Sequence, residues 1–243
     1  MPAPEAHRPA SAAGLILTSF AAGFGVDPQA AHQLAGDFGV PSLEAADLRP
    51  ALLALAAECG ARPGECIYLS TPITTGRNHL DLIVEKSANG AGPPTAADRA
   101  KAVLFNRQRA QAVAERVRAA HDAIVIDPTS LVNVPGWEQD DYHALWVAVI
   151  ERYARAVVFV DDWQYSVGCR KEFEAAVRLG LPVMDQRLTS FGCEDGQRLV
   201  RQAAVELESL RGSGALLPSE AADAIECLSA TRGCGAAAGE QGQ

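Results

Sequence analysis

Short, uninterrupted apolar runs alternate along this chain with longer stretches in which apolar residues recur every three or four positions. The runs are Cys66-Ile67-Tyr68-Leu69-Ser70, Ala123-Ile124-Val125-Ile126-Asp127, Ala156-Val157-Val158-Phe159-Val160 and Leu181-Pro182-Val183-Met184. A run that is apolar at nearly every position suits a strand covered on both faces. The intervening stretches have helical spacing. Val103, Asn106, Ala110, Val113, Ala114 and Val117 predict a helix over about 96–121. Tyr142, Leu145, Trp146, Val149, Ile150 and Tyr153 predict another over about 138–155, and Phe173, Ala176 and Val177 a third over about 168–179. Strands alternating with helices predict a Rossmann-like (flavodoxin-like) α/β fold. Its parallel sheet has about four to five strands, with helices on both faces and helical additions at both ends.

The additions follow from the same pattern. Leu48, Leu52, Leu55 and Cys59 keep helical spacing, so residues 12–62 read as an appendage of two or three helices. The α/β core then spans 63–190. Two helices around Gly212-Ser213-Gly214 are expected over 191–230. Residues 1–11 and 231–243 read as disordered ends. The stretch containing Gly76, Gly90, Gly92, Pro93 and Pro94 reads as loop.

Composition narrows the function. The chain has 243 residues, 48% of them hydrophobic, enough for a sizeable core. Its formal net charge of −9 disfavours a nucleic-acid surface but not a small anionic ligand held by a few arginines. No apolar stretch approaches the ~18–20 residues that span a bilayer. The segment 12–26 lacks the basic leader of a signal peptide, so a cytoplasmic protein is expected, with no membrane partner. The six cysteines (Cys59, Cys66, Cys169, Cys193, Cys227 and Cys234) show no Cys-x-x-Cys spacing and read as free thiols. The five histidines show no zinc-ligand spacing, so no metal is expected. The Thr74-Thr75-Gly76 loop lacks the lysine of a phosphate-binding P-loop, and no cofactor is implied. Helices at both ends leave room for a homo-oligomer contact.

In a parallel sheet, ligands sit beyond the carboxyl ends of the strands. Three segments deliver polar groups there. Ser70, Thr71 and Pro72 follow the first strand. Asp127 ends the second, with Trp137, Asp140 and Asp141 further on. Asp161, Asp162, Trp163, Ser166 and Gly168 follow the third, and Glu172 lies in the next helix. Ser166 or Gly168 can cap that helix and leave N–H groups facing a ligand. A glutamate near a helix start is favoured by the helix dipole, and in bland terms is an ordinary acid of the opening turns. Trp163 and Trp137 can stack on a base or simply cover the core edge. Arg77, Arg107, Arg109 and Arg170 can contact a phosphate or face solvent. His79 and His143 read as packed or surface residues, and Cys169 as a small packed residue.

The segment Ile67-Tyr68-Leu69-Ser70-Thr71-Pro72-Ile73, then Trp163-Gln164-Tyr165-Ser166-Val167-Gly168-Cys169-Arg170-Lys171-Glu172, then Ala175-Ala176 and Gly180-Leu181-Pro182-Val183, resembles the nucleoside 2-deoxyribosyltransferase-like superfamily. The resemblance covers roughly residues 64–186 and is nearest to a branch with Trp-x-x-Ser-x-Gly before the glutamate. It implies a small-molecule nucleoside or nucleotide as ligand. It also implies a glutamate nucleophile at the anomeric carbon, here Glu172, steered by Tyr68. An aspartate at the third strand's end, here Asp162 or Asp161, would contact base or sugar, and Asp162 or Asp141 is a candidate catalytic acid that protonates or orients the departing base. Ser70, Thr71, Pro72, Asp141, Trp163, Ser166 and Gly168 are the expected substrate contacts. The expected reaction is cleavage or transfer of an N-glycosidic bond. The alternatives are an inactive nucleotide-sensing module and an NAD-cleaving glycohydrolase, which also uses a glutamate.

Overall fold

The computed structural model describes residues 12–38 and 45–212. Its centre is a four-stranded, all-parallel sheet of β1 (Cys66–Ser70), β2 (Val125–Ile126), β3 (Ala154–Phe159) and β4 (Val183–Asp185), in the spatial order β2-β1-β3-β4. This is the expected Rossmann-like architecture. Helices α1 (Ala12–Gly23), α2 (Pro28–Asp37) and α3 (Ala45–Glu58) precede the sheet. Helices α4 (Arg77–Ala88) and α5 (Ala96–Ala120) join β1 to β2, and α6 (Gln139–Tyr153) joins β2 to β3. Helix α7 (Val167–Arg178) joins β3 to β4, and α8 (Cys193–Gly212) follows. The order reverses between β1 and β3: one crossover runs to β2 on one side, the next returns past β1. The carboxyl ends of β1 and β3 therefore flank a switch-point crevice.

Successive strand residues face opposite sides, so β1 sorts its own side chains. Ile67 and Leu69 join Val125, Val158 and Val160 beneath α5, whose Ala110, Val113, Ala114 and Val117 fill that layer. Cys66 and Tyr68 face the other way, into a core shared with α1, α3, α6 and α7. The amino-terminal helices are part of this core rather than a separate layer. Phe20 of α1 stacks on Trp146 of α6 with ring centroids 5.7 Å apart, and Tyr153 donates to the Leu53 carbonyl at 2.8 Å. The end of α1 also touches the end of β2. Asp127 N donates to the Gly23 carbonyl at 2.8 Å, and a β-carbon at Gly23 would lie 2.6 Å from the Asp127 carbonyl oxygen. Only glycine allows that approach.

The stretch after β1 differs from the loop expectation. Residues Arg77–Ala88 form α4, with Leu80 and Ile83 buried one turn apart. The glycines and prolines on its flanks punctuate the helix; they do not prevent it. Strand β2 is shorter than expected, because His121–Ala123 bend into the sheet and only Val125 and Ile126 pair with β1. A helix is present where α8 was expected; the second carboxyl-terminal helix and both disordered ends lie outside the described residues. Among the described residues, no helix is long and apolar enough to cross a membrane.

Candidate active site

Helix α7 begins with a side-chain cap: Cys169 N donates to Ser166 Oγ at 3.4 Å. Val167 is then the first helical residue, which places Glu172 in the second turn, not the first. The helix dipole acts mainly over the first turn, so it contributes little here. What holds Glu172 is β1. Tyr68 Oη donates to Glu172 Oε1 at 2.7 Å, and Ser70 Oγ donates to Oε2 at 2.6 Å. Tyr68 and Ser70 are two residues apart, so the pleat turns both toward the same carboxylate. Each carboxylate oxygen has a further lone pair for a ligand.

The electrostatics of this carboxylate are unusual. Tyr68 is 0% exposed and Glu172 7%. Burial lifts the Glu172 carboxyl from 4.5 to about 7, against the two hydroxyl donors, which pull it down. Among the described residues, no cation forms an ion pair with Glu172 to offset the burial. Burial, and then the charge of Glu172, push the Tyr68 phenol well above its ordinary value, so its proton stays in the hydrogen bond. Cys169 is also buried, and burial raises its thiol far out of the range of a thiolate nucleophile.

Glu172 opens onto a cleft of about 740 Å³. That lies within the range of small-molecule sites. Its walls come from the loop after β1 (Thr71, Ile73, Thr74, Thr75), from α5 (Val103, Arg107), from the segment after β2 (Pro128 to Asn133), from α6 and from α7. Tyr142 and Trp146 give it an aromatic side; His143, Lys171 and Arg107 give it cationic or titratable groups. The loop after β1 is tied down by Asn106 of α5, whose Nδ2 donates to the carbonyls of Ile73 at 3.1 Å and Thr75 at 3.0 Å.

The expected site residues separate into two groups. Thr71, Ser166, Gly168 and Glu172 line the cleft, while Tyr68 and Ser70 stand behind Glu172 and hold it. Pro72 lies between the lining residues Thr71 and Ile73 but is not itself on the wall. Three residues have other partners. Asp162 adopts a left-handed backbone (φ 70°) and turns its carboxylate to Arg109 of α5, 3.0 Å away. Asp141 accepts from Glu138 N at 2.9 Å and closes the start of α6; its neighbour Asp140 faces the cleft instead. Trp163 is 3% exposed and packs against Phe159, Phe173 and Phe191 at centroid distances of 4.7, 4.9 and 6.3 Å. It is a core residue, not a stacking platform for a base. Trp137 likewise packs edge-on against Tyr142 at 5.1 Å.

Of the arginines, Arg107 lines the cleft. Arg77 is held by Asp81 and Glu206, Arg109 by Asp162, and Arg170 is buried away from the wall. Two residues of the site were not among the expected site residues: Asn106, read as part of a helix face, and His143, read as a packed or surface residue. Asn106 carried a signal, a polar residue on an otherwise apolar helix face. His143 carried none, because its partner Lys171 is distant in the chain. Among the described residues, no group of three or more His, Cys, Asp and Glu side chains is arranged to hold a metal. A more open depression of about 480 Å³ along α8, lined by Arg198, Arg201, Gln202, Val205, Glu206 and Ser209, belongs to one helix face and shares no lining residue with the Glu172 cleft. No protein-family model, curated protein or solved structure matches this chain.

Proposed function

We propose that this protein cleaves or transfers the N-glycosidic bond of a nucleoside or nucleotide, with Glu172 as the nucleophile. The observation that carries the reading is the buried carboxylate at the cleft wall, held through both oxygens by neutral hydroxyls and paired with no cation among the described residues. A structural carboxylate at this depth is normally neutralised by an arginine or lysine. This one is desolvated and positioned but left without its countercharge. Breaking an N-glycosidic bond builds positive charge on the sugar, so the countercharge appears in the transition state, where it lowers the barrier.

In chemical terms, one Glu172 oxygen bonds to C1′ while the C1′–N bond breaks and its electron pair leaves with the base. The resulting ester is then opened by water, or by the nitrogen of a second base, which restores the carboxylate. Tyr68 and Ser70 are positioning residues: they fix the oxygen that attacks. Arg107 and Lys171 on the cleft wall suit a ligand with an anionic part. The test is incubation of the full chain with a panel of nucleosides, nucleoside monophosphates and NAD, followed by chromatography of free base. Release of base from at least one of them is expected. Saturable binding with no release from any would overturn the catalytic reading and leave a nucleotide-sensing module in its place.

A further inference from the structure

His143 reaches the cleft from α6, and Glu172 reaches it from α7. The imidazole side chain is 15% exposed. Its Nδ1 lies 3.1 Å from Lys171 Nζ, and the same ammonium donates to Asp140 Oδ1 at 2.8 Å. Asp140 Oδ1 is further from the ring, at 3.5 Å from Nδ1. An ammonium has donors and no acceptor, so the shorter contact puts a lone pair on Nδ1 and the proton of the neutral ring on Nε2. Burial, and then the charge of Lys171, hold this imidazole below its ordinary pKa, against Asp140, which raises it.

The Nε2 edge of the ring lies over Gly168. A β-carbon at Gly168 would come 3.1 Å from Nε2, so the bare glycine gives the ring its place. Gly168 and Glu172 are four residues apart on α7 and share one face, about 6 Å along the axis. Retaining glycoside chemistry needs a proton donor beside its nucleophile, across the bond that breaks. His143 Nε2 stands over the turn of α7 that precedes Glu172, and both residues line the same cleft.

Resting on the Glu172 reading, we propose that His143 gives its Nε2 proton to the departing base, with Lys171 resupplying Nδ1. The substrate is then a nucleoside whose base departs as an anion that must be protonated, not one with a cationic base such as nicotinamide. The balance closes. The electron pair of the C1′–N bond moves to the base, the base takes the Nε2 proton, and Nδ1 takes a proton from the Lys171 ammonium. Glu172 loses its charge in the ester, Lys171 loses its charge as an amine, and the base leaves neutral. When water opens the ester its proton goes to Nε2, the Nδ1 proton returns to Lys171, 38% exposed, and the carboxylate, the ammonium and the Nε2–H ring are all restored.

The test compares adenosine with nicotinamide riboside, whose base already leaves neutral, in the parent chain and in His143→Leu and His143→Gln. His143→Leu is expected to slow adenine release about 10²-fold and to leave nicotinamide release within about threefold. His143→Gln, which keeps an N–H near the Nε2 position, is expected to keep more of the adenine rate than His143→Leu. Nitrogen NMR of the labelled imidazole in the parent, which needs no turnover, is expected to show a neutral ring protonated at Nε2. Lys171→Met is expected to shift it toward the Nδ1–H form. Equal losses on both substrates, or a ring protonated at Nδ1 in the parent, would overturn the proposal and leave Glu172 untouched. Release of base by the parent from no nucleoside, nucleotide or NAD of the panel would remove the glutamate reading, and this one with it.

Discussion

Glu172→Gln is expected to abolish base release, by about 10⁴-fold or more, roughly 5 kcal/mol of transition-state stabilisation. The amide keeps the shape and its contacts with Tyr68 and Ser70 but can neither bond to C1′ nor balance the charge of the sugar. Tyr68→Phe removes one hydrogen bond from the nucleophile and is expected to cost less. Glu172→Gln has the opposite effect on stability. With its carboxyl raised from 4.5 to about 7, the folded state holds a proton that the unfolded chain gives up. Stability therefore falls as pH rises from about 4.5 to about 7, by on the order of 3 kcal/mol in full. Glu172→Gln carries no such proton. Denaturant titrations are expected to show the variant as the more stable protein at pH 8 and the two converging near pH 4. A variant less stable than the parent at pH 8 would mean that the carboxylate is a structural group after all.

Trp163→Ala is expected to lose about 3–5 kcal/mol of stability, the usual cost of emptying an aromatic site in a packed core. Trp163 touches three phenylalanines from β3, α7 and the segment after β4, so the cavity would open where those elements meet. Trp163→Phe keeps most of the contact and is expected to recover much of the loss. Thermal unfolding checks both. A Trp163→Ala chain that unfolds like the parent but binds its ligand more weakly would restore the base-stacking role.

Residues close in sequence were the legible part of this molecule. The run Cys66–Ser70 matches β1 because continuous apolarity needs no knowledge of partners, and the stripe from Tyr142 to Tyr153 gave α6 for the same reason. Ser70 and Glu172 were legible from their places at a strand end and near a helix start, whereas Tyr68, inside β1, came from the resemblance alone. Direction was not legible. Asp162 and Trp163 follow the third strand just as a ligand contact would, yet the left-handed turn at Asp162 sends one toward α5 and the next into the core. The aromatic cluster joins residues 159, 163, 173 and 191, and no local period connects them. His143 and Lys171 meet only because α6 packs on α7. Helix α4 was hidden by the glycines and prolines around it.

The most direct measurement of the central claim is the mass of Glu172 during turnover. A 2′-fluorinated nucleoside destabilises the cationic sugar and slows both formation and hydrolysis of the ester, so the intermediate can accumulate. The full chain incubated with it, then digested and analysed by mass spectrometry, is expected to carry one sugar on the peptide containing Glu172, and Glu172→Gln to carry none. A sugar found instead on Glu138 or Asp140, the other acids of the cleft wall, would contradict the account.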